Sequence, residues 1–193
     1  MYEIPVSLTV NGTTRAIRNR GDYRIVLDCF SVLNDMELTR DERYYAALII
    51  FYEDFNELAD LSLGQDELTA LIRAMFDFFN CGQPEKQTQN YKLIDWETDS
   101  QIICAAINKV AQTEIRSLPY LHWWTFMGYY LSIGESVLST VVGIRDKIKR
   151  GKKLEKYERE YRQNNPHYFV WDSKTAQEKE DDELIRQLWN SEG

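Results

Sequence analysis

Histidine is scarce in this chain, with two copies, His122 and His167, among 193 residues. They stand in different segments. A histidine-based metal centre would need both of them plus carboxylates that no spacing pattern supplies. Cysteine is scarce as well. Cys29, Cys81 and Cys104 are far apart, form no C-x-x-C pair and, being odd in number, cannot all pair within one chain. Cys29 and Cys104 sit among apolar residues and read as small hydrophobes, which fits a reducing compartment. No stretch reaches the ~18 apolar residues that a membrane span needs. The opening "MYEIPVSLTV" has neither a basic start nor a long apolar core, so it is not expected to act as a secretory signal. Phosphate-binding loops are missing too. Gly143 and Gly151-Lys152-Lys153 lack P-loop spacing and the hydroxyl residue that should follow the lysine. Neither H-E-x-x-H nor G-x-S-x-G occurs. Asp95, Glu97 and Asp99 read as helix-start carboxylates rather than a cation site. His122 has no adjacent nucleophile or orienting partner and reads as a buried, hydrogen-bonded side chain. We therefore expect no catalytic residue, no cofactor and no metal, and a protein that is not an enzyme.

What is present is enough apolar material for a full core, 44% of the chain, with aromatic residues at 13%. Val6, Leu8 and Val10 alternate with polar residues at the strand period. Asn11-Gly12 then supplies two residues that tolerate positive φ, and "TTRAIR" returns, which predicts a β-hairpin. Asn11-Gly12-Thr13 also spells a glycosylation sequon, but without a secretory signal the turn reading is preferred. Asp22 fits the N-cap of a first helix with Ile25, Val26, Cys29, Phe30 and Leu33 on its apolar face. Thr39 and Glu42 have capping-box spacing. They predict a second helix to about Asp54 through Tyr45, Leu48, Ile49 and Tyr52. A third helix from about Asp66 carries Leu68, Leu71, Ile72, Met75, Phe76 and Phe79 on one arc and closes at Cys81-Gly82. "QPEKQTQNYK" reads as a polar linker. A fourth helix, capped by Asp95 or Thr98, presents Ile102, Ile103, Ala106, Ile107 and Val110.

The fifth helix is expected in "SLPYLHWWTFMGYYLSI", residues 117–133, which holds six aromatic residues and no formal charge. Pro119 is placed in its first turn. On a helical wheel, Tyr120, Trp123, Trp124, Phe126, Met127, Tyr130 and Leu131 share one arc, and Leu121, Thr125, Gly128 and Ser132 form a sector of mostly small residues. Burying both tryptophans would remove about 400 Å² from water, worth at most ~10 kcal/mol. Indole and phenol also carry polar tips and are enriched where proteins meet. The first expectation is therefore a central core helix covered on most sides, with a small sector that admits a second helix; a shared role, core on one side and partner surface on the other, is the second.

A sixth helix covers about Ser136–Lys149. From Arg145 to Arg162 there are nine Lys/Arg against four Asp/Glu, in a chain of net charge −8. Glu155, Glu158 and Glu160 alternate with the cations at i,i+4 distances, so this reads as a solvated charged helix. An acidic protein is the next reading and nucleic acid the last, since no nucleic-acid motif accompanies the run. "YFVWDS" is expected to be extended. "DDELIRQLWN" is expected to be a short amphipathic helix with Leu184, Ile185, Leu188 and Trp189. Together these elements predict a mainly α protein: a compact helical bundle of about six helices with an N-terminal β-hairpin. The hairpin and helical core would take residues 1–149, and a charged helical extension and tail residues 150–193.

Residues 94–133, "IDWETDSQIICAAINKVAQTEIRSLPYLHWWTFMGYYLSI", resemble the bacteriophage Gp15 family. That family joins a D-x-x-x-D-x-x-x-I-x-x-A helix start, here Asp95, Asp99, Ile103 and Ala106, to an aromatic block, here Tyr120, Leu121, His122, Trp123 and Trp124. The hairpin with its Asn-Gly turn and the Asp22-Tyr23-Arg24 helix start are similar as well, and residues 166–193 lie beyond the resemblance. The resemblance implies a tail-module protein of long-tailed phages that acts as a tail assembly chaperone. It would bind and solubilise the tape-measure protein in the host cytoplasm and be absent from the mature virion. A second tail chaperone, the tail tube protein and a second copy of the chain are the further partners it raises. Tyr120, Trp123, Trp124, Tyr130, Leu184, Leu188 and Trp189 are the expected contact residues. The alternatives are a structural component retained in the virion and, last, a nucleic-acid-binding regulator.

Overall fold

Asn11 and Gly12 take φ of 49° and 78°, the left-handed pair that a type I′ turn requires. They join β1 (Ser7–Val10) to β2 (Thr13–Ala16), with Val10 opposite Thr13. The structure, a computed structural model, describes residues 3–55, 63–83 and 92–170. Among these, seven α-helices follow the hairpin: α1 (Tyr23–Leu33), α2 (Arg40–Phe51), α3 (Gln65–Phe79), α4 (Ser100–Ala111), α5 (Trp123–Leu131), α6 (Val137–Lys149) and α7 (Lys156–Asn164). The chain is a helical bundle with an N-terminal hairpin. It divides into two compact units, Met1–Thr140 and Val141–Gly193, and α6 contains the dividing residue. The greater part of the expected linker, and all of the expected amphipathic segment "DDELIRQLWN", lie outside the described residues.

In the first unit α1 is the central element and packs against both α2 and α5. Its start is set by Asp22, whose carboxylate accepts from the Arg24 N–H at 3.0 Å. Ile25, Val26 and Cys29 are buried along its inner face. Cys29 and Ala47 are both fully covered, and the thiol reaches the Ala47 carbonyl at 3.6 Å. Two small side chains at the crossing let α1 and α2 approach closely. Burial pushes the three thiols up, Cys81 to about 11, so none is poised as a thiolate.

The capping box at Thr39 and Glu42 opens α2 as expected. Its buried face is rotated from the expected one. Tyr44, Ala47, Leu48 and Phe51 are buried, whereas Tyr45 is exposed. The helix stops at Phe51 because Tyr52 turns extended, forms a bridge with Ile17 and donates its hydroxyl to the Leu71 carbonyl at 2.9 Å. Arg18 takes the carbonyls of Ile49 and Ile50 in the last turn of α2, and that of Tyr52 just past it, at 2.9–3.1 Å. Helix ends always leave such carbonyls over.

Ahead of α4, Asp95 caps a one-turn lead-in by accepting from the N–H groups of Glu97 and Thr98. Burial works against this carboxylate, but Lys92 and Thr98 hold its pKa at about 2. Asp99, the residue before α4, is buried and reaches back to the Asp95 N–H at 3.0 Å. Ile102, Ile103, Ala106 and Ile107 fill the inner face of α4 as expected.

In the second unit the charged run is not one helix. Gly151, at φ 65°, breaks it after α6, and a second capping box at Glu155 and Glu158 starts α7. Glu158 is buried and pairs with Lys147 at 2.7 Å across the break, while Lys156 and Glu160 keep an exposed i,i+4 pair at 3.9 Å. Tyr168 and Phe169 lie in a 3-10 turn, Pro166–Phe169, rather than in the expected extended segment. Arg145 donates to the Tyr168 carbonyl at 2.7 Å, which fastens this turn to α6.

Two glycines test the local argument. Gly12 and Gly21 both have positive φ, but a Cβ on Gly12 meets nothing within 4 Å, whereas on Gly21 it falls 2.7 Å from the Phe78 ring. Gly12→Ala should cost about 1 kcal/mol of backbone strain. Gly21→Ala should add an overpacking cost of about 1–3 kcal/mol, read as a lower urea midpoint at unchanged m-value. Equal losses in the two variants would show that the Gly21 contact does not matter.

Candidate interaction helix

The first structural unit brings the two ends of the aromatic run's surroundings together at one junction. Asp22 and His122 form an antiparallel bridge, and the Tyr23 N–H donates to the Leu121 carbonyl at 2.9 Å. The Asp22 carboxylate accepts from the Leu121 N–H at 2.9 Å and from Arg24 at 3.1 Å. Arg24 then donates to the carbonyl of Leu118 at 2.8 Å and lies over the Tyr23 ring at 4.6 Å. One buried carboxylate thus caps α1 and holds the strand-like lead-in to α5.

That lead-in corrects the expected helix start. Pro119 lies before the helix, Tyr120 and Leu121 are not helical, and α5 begins at Trp123 with His122, itself extended, as its N-cap. The imidazole Nδ1 accepts from the Trp124 N–H at 3.0 Å, and Nε2 sits 2.9 Å from the Pro5 carbonyl. An acceptor at Nδ1 requires the hydrogen at Nε2, so the ring is neutral and donates to Pro5. Burial lowers its pKa, opposed by the Pro5 bond and by Asp22.

The two indoles act as donors to one helix end. Trp123 Nε1 donates to the Phe79 carbonyl at 2.9 Å and Trp124 Nε1 to the Phe78 carbonyl at 3.0 Å. Both carbonyls belong to the last turn of α3, past the reach of intrahelical donors; the Phe78 carbonyl also accepts from the Cys81 N–H at 3.0 Å, so its indole bond is a second one. Trp123 is 1% exposed, stacks on Phe126 at 5.4 Å and meets Phe30 and Trp96 edge-on. Trp96 in turn contacts Tyr130 at 5.2 Å, and Tyr23 stacks on Phe126 at 4.7 Å. Aromatic pairs of this kind are worth about 0.5–1.5 kcal/mol each beyond their area.

The opposite face of α5 is open. Leu131, expected on the covered arc, is 76% exposed. Among the described residues, nothing lies within 4 Å of where a Cβ on Gly128 would stand. Ser132 is also exposed, and Val137, at the start of α6, is 49% exposed. Gly128 and Leu131 are three residues apart and share a helix face.

Of the expected contact residues, the structure gathers Trp123, Trp124 and Tyr130 on α5. Trp123 is in the core, Trp124 and Tyr130 are half-buried, and Tyr120, off the helix, is 40% exposed with its hydroxyl donating to the Arg20 carbonyl at 3.0 Å. Leu184, Leu188 and Trp189 lie outside the described residues. The sequence reading passed over Trp96, the Asp22–Arg24 clasp and the exposure of Leu131. Only the clasp left a local sign, an Asp-aromatic-Arg start. Among the described residues no group of three or more His, Cys, Asp or Glu is placed to hold a metal ion. Among them, too, no helix is long and apolar enough to cross a membrane.

The family described as Bacteriophage Gp15 protein matches residues 2–169. The chain belongs to the bacteriophage Gp15 family. No curated protein and no solved structure matches it. The Gp15 match covers the hairpin, the Asp22 clasp, the tryptophan helix and α7, and ends at the 3-10 turn that Arg145 fastens. Residues 170–193 are therefore outside the Gp15 match.

Two outcomes follow for this Gp15 junction. Trp123→Phe removes a buried donor and strands the Phe79 carbonyl, so it should cost about 1–3 kcal/mol. Trp124→Phe, at a half-exposed site, should cost less, and urea unfolding ranks the two. The His122 pKa is lowered in the fold, so the unfolded chain takes up the proton first as pH falls below about 6.5. Stability from His122 is complete above that pH and is lost below it. His122→Asn keeps an N-cap acceptor without titrating, and its urea midpoint should fall less than the parent's between pH 7.5 and 5.5. Identical pH profiles would sink this assignment.

Proposed function

We propose that this Gp15 protein is a tail assembly chaperone that binds and solubilises the phage tape-measure protein while the tail is built. It acts in the host cytoplasm, performs no covalent chemistry and leaves before the virion is complete. The supporting observation is the two-sided α5. One face is clasped by Asp22, His122 and the end of α3, and the other offers Gly128, Leu131 and Ser132 to solvent. A rigid helix with a small, partly apolar open face accepts another helix at short range, the helix-in-groove mode of recognition. A tape-measure protein is a long helix with apolar faces, and such surface aggregates unless covered. The net charge of −8 favours solubility of the covered assembly.

Co-expression with the tape-measure protein from the same phage tests the reading. The client should move from the insoluble to the soluble fraction and co-purify with this chain. Leu131→Glu, at a position already exposed, should leave the fold within about 0.5 kcal/mol of the parent and weaken the rescue. A client equally insoluble with and without the chain would refute the proposal. Mass spectrometry of purified particles should find no copy of the chain; its presence there would favour a structural tail component instead.

A further inference from the structure

The second unit carries a concentrated positive charge that its own described residues do not neutralise. Residues 141–170 hold nine Lys/Arg against four Asp/Glu, net +5. Lys147 and Lys156 have carboxylate partners, but Lys149, Lys152, Lys153 and Arg162 are exposed and, among the described residues, form no ion pair. Lys152 and Lys153 occupy the turn between α6 and α7, beside Gly151. Apolar surface lies on the same short unit, where Tyr157 is 63% and Val170 75% exposed. The chain then continues for 23 residues of opposite character. Residues 171–193 hold seven Asp/Glu against three Lys/Arg, net −4, with Asp181-Asp182-Glu183 directly followed by Leu184, Ile185, Leu188 and Trp189.

We propose that the acidic C-terminal segment, residues 171–193, docks on the basic surface of the α6–α7 unit of the same chain and competes there with acidic partners. Three observations select this occupant. The charges are complementary in sign and nearly equal in size. The apolar residues that follow the acidic triplet match the exposed Tyr157 and Val170. The reach is sufficient: α7 has nine residues, hence a length of about 14 Å, while the ten residues 171–180 can span up to about 33 Å. The tail starts beside the unit it would cover, so its effective concentration there is in the millimolar range, well above that of any separate acidic protein. The segment lies beyond the Gp15 family match, which ends at residue 169. This proposal is independent of the tape-measure reading.

Zero-length carbodiimide cross-linking of the full-length chain, followed by peptide mass spectrometry of the monomer band, is the test. It joins amines only to carboxylates in ion-pair contact. Cross-links from Lys149, Lys152, Lys153 or Lys156 to Asp181, Asp182 or Glu183 are expected at low salt. They should be lost near 1 M salt, where the Debye length is about 3 Å. The pair of substitutions Lys152→Glu and Lys153→Glu should remove their own cross-links and lower those from Lys149 and Lys156 to the acidic triplet. Fluorescence anisotropy with a short acidic peptide or a DNA duplex as probe should show tighter binding by a variant with Asp181, Asp182 and Glu183 changed to Asn, Asn and Gln. Circular dichroism should show unchanged helix content in each variant. Tail cross-links confined to a dimer band would mean that a second copy is the occupant, and would overturn the proposal. So would cross-links from these lysines only to carboxylates of the first unit, or probe binding unaffected by neutralising the triplet.

Discussion

Two indole N–H groups donating to the last carbonyls of α3 decide where the tryptophan helix lies. A helix end must find donors for its terminal carbonyls or leave them to water. Trp123 meets that need for the Phe79 carbonyl at 2.9 Å, and Trp124 adds a second bond at 3.0 Å to the Phe78 carbonyl that the Cys81 N–H already serves, both from more than forty residues away. The same contacts bring the large ring of Trp123 into the space between α1, α3 and α5. Hydrogen bonding and apolar burial thus act through the same side chain. Arg18 at the end of α2 and Arg145 at the Tyr168 turn repeat the arrangement within each unit. Helices of nine to fifteen residues are marginal alone, and this one feature ties several of them at their ends.

The Asp22 carboxylate is the second fixed point. It is 5% exposed yet serves both α1 and the lead-in to α5. A buried carboxylate is tolerable only when its lone pairs are used, and here backbone N–H groups and Arg24 use them. His122 completes the junction by capping α5 with one nitrogen and binding Pro5 with the other. The start of the helix and one side are so held, while Gly128, Leu131 and Ser132 on the other side are exposed.

Much of the fold is legible in the chain because the relevant signals are local. The Asn11-Gly12 turn, the Asp22 cap and the Thr39–Glu42 box each depend on a few adjacent residues and their backbone preferences, whereas at the end of α3 the residue after the cap is Cys81, at φ 56°, and Gly82 follows it. The faces of α1 and α4 followed from apolar spacing, since those helices are buried along one stripe. On α2 the pattern misled. Tyr44 and Tyr45 are equal in hydropathy, and only the position of α3 and the hairpin decides which turns inward. At α5 the aromatic residues before the helix looked helical by composition. The bridge between Asp22 and His122 keeps this stretch out of the helix instead.

The order of amino acids by itself determined the helical class, the hairpin, most caps and the charge contrast between the basic run and the acidic end, because these rest on dihedral preference and composition. Tertiary structure alone decided that the paired tryptophans terminate another helix, that His122 caps its own, and that Leu131 faces outward. Each of those depends on what a distant segment places beside the residue, and that is settled only when the segments meet.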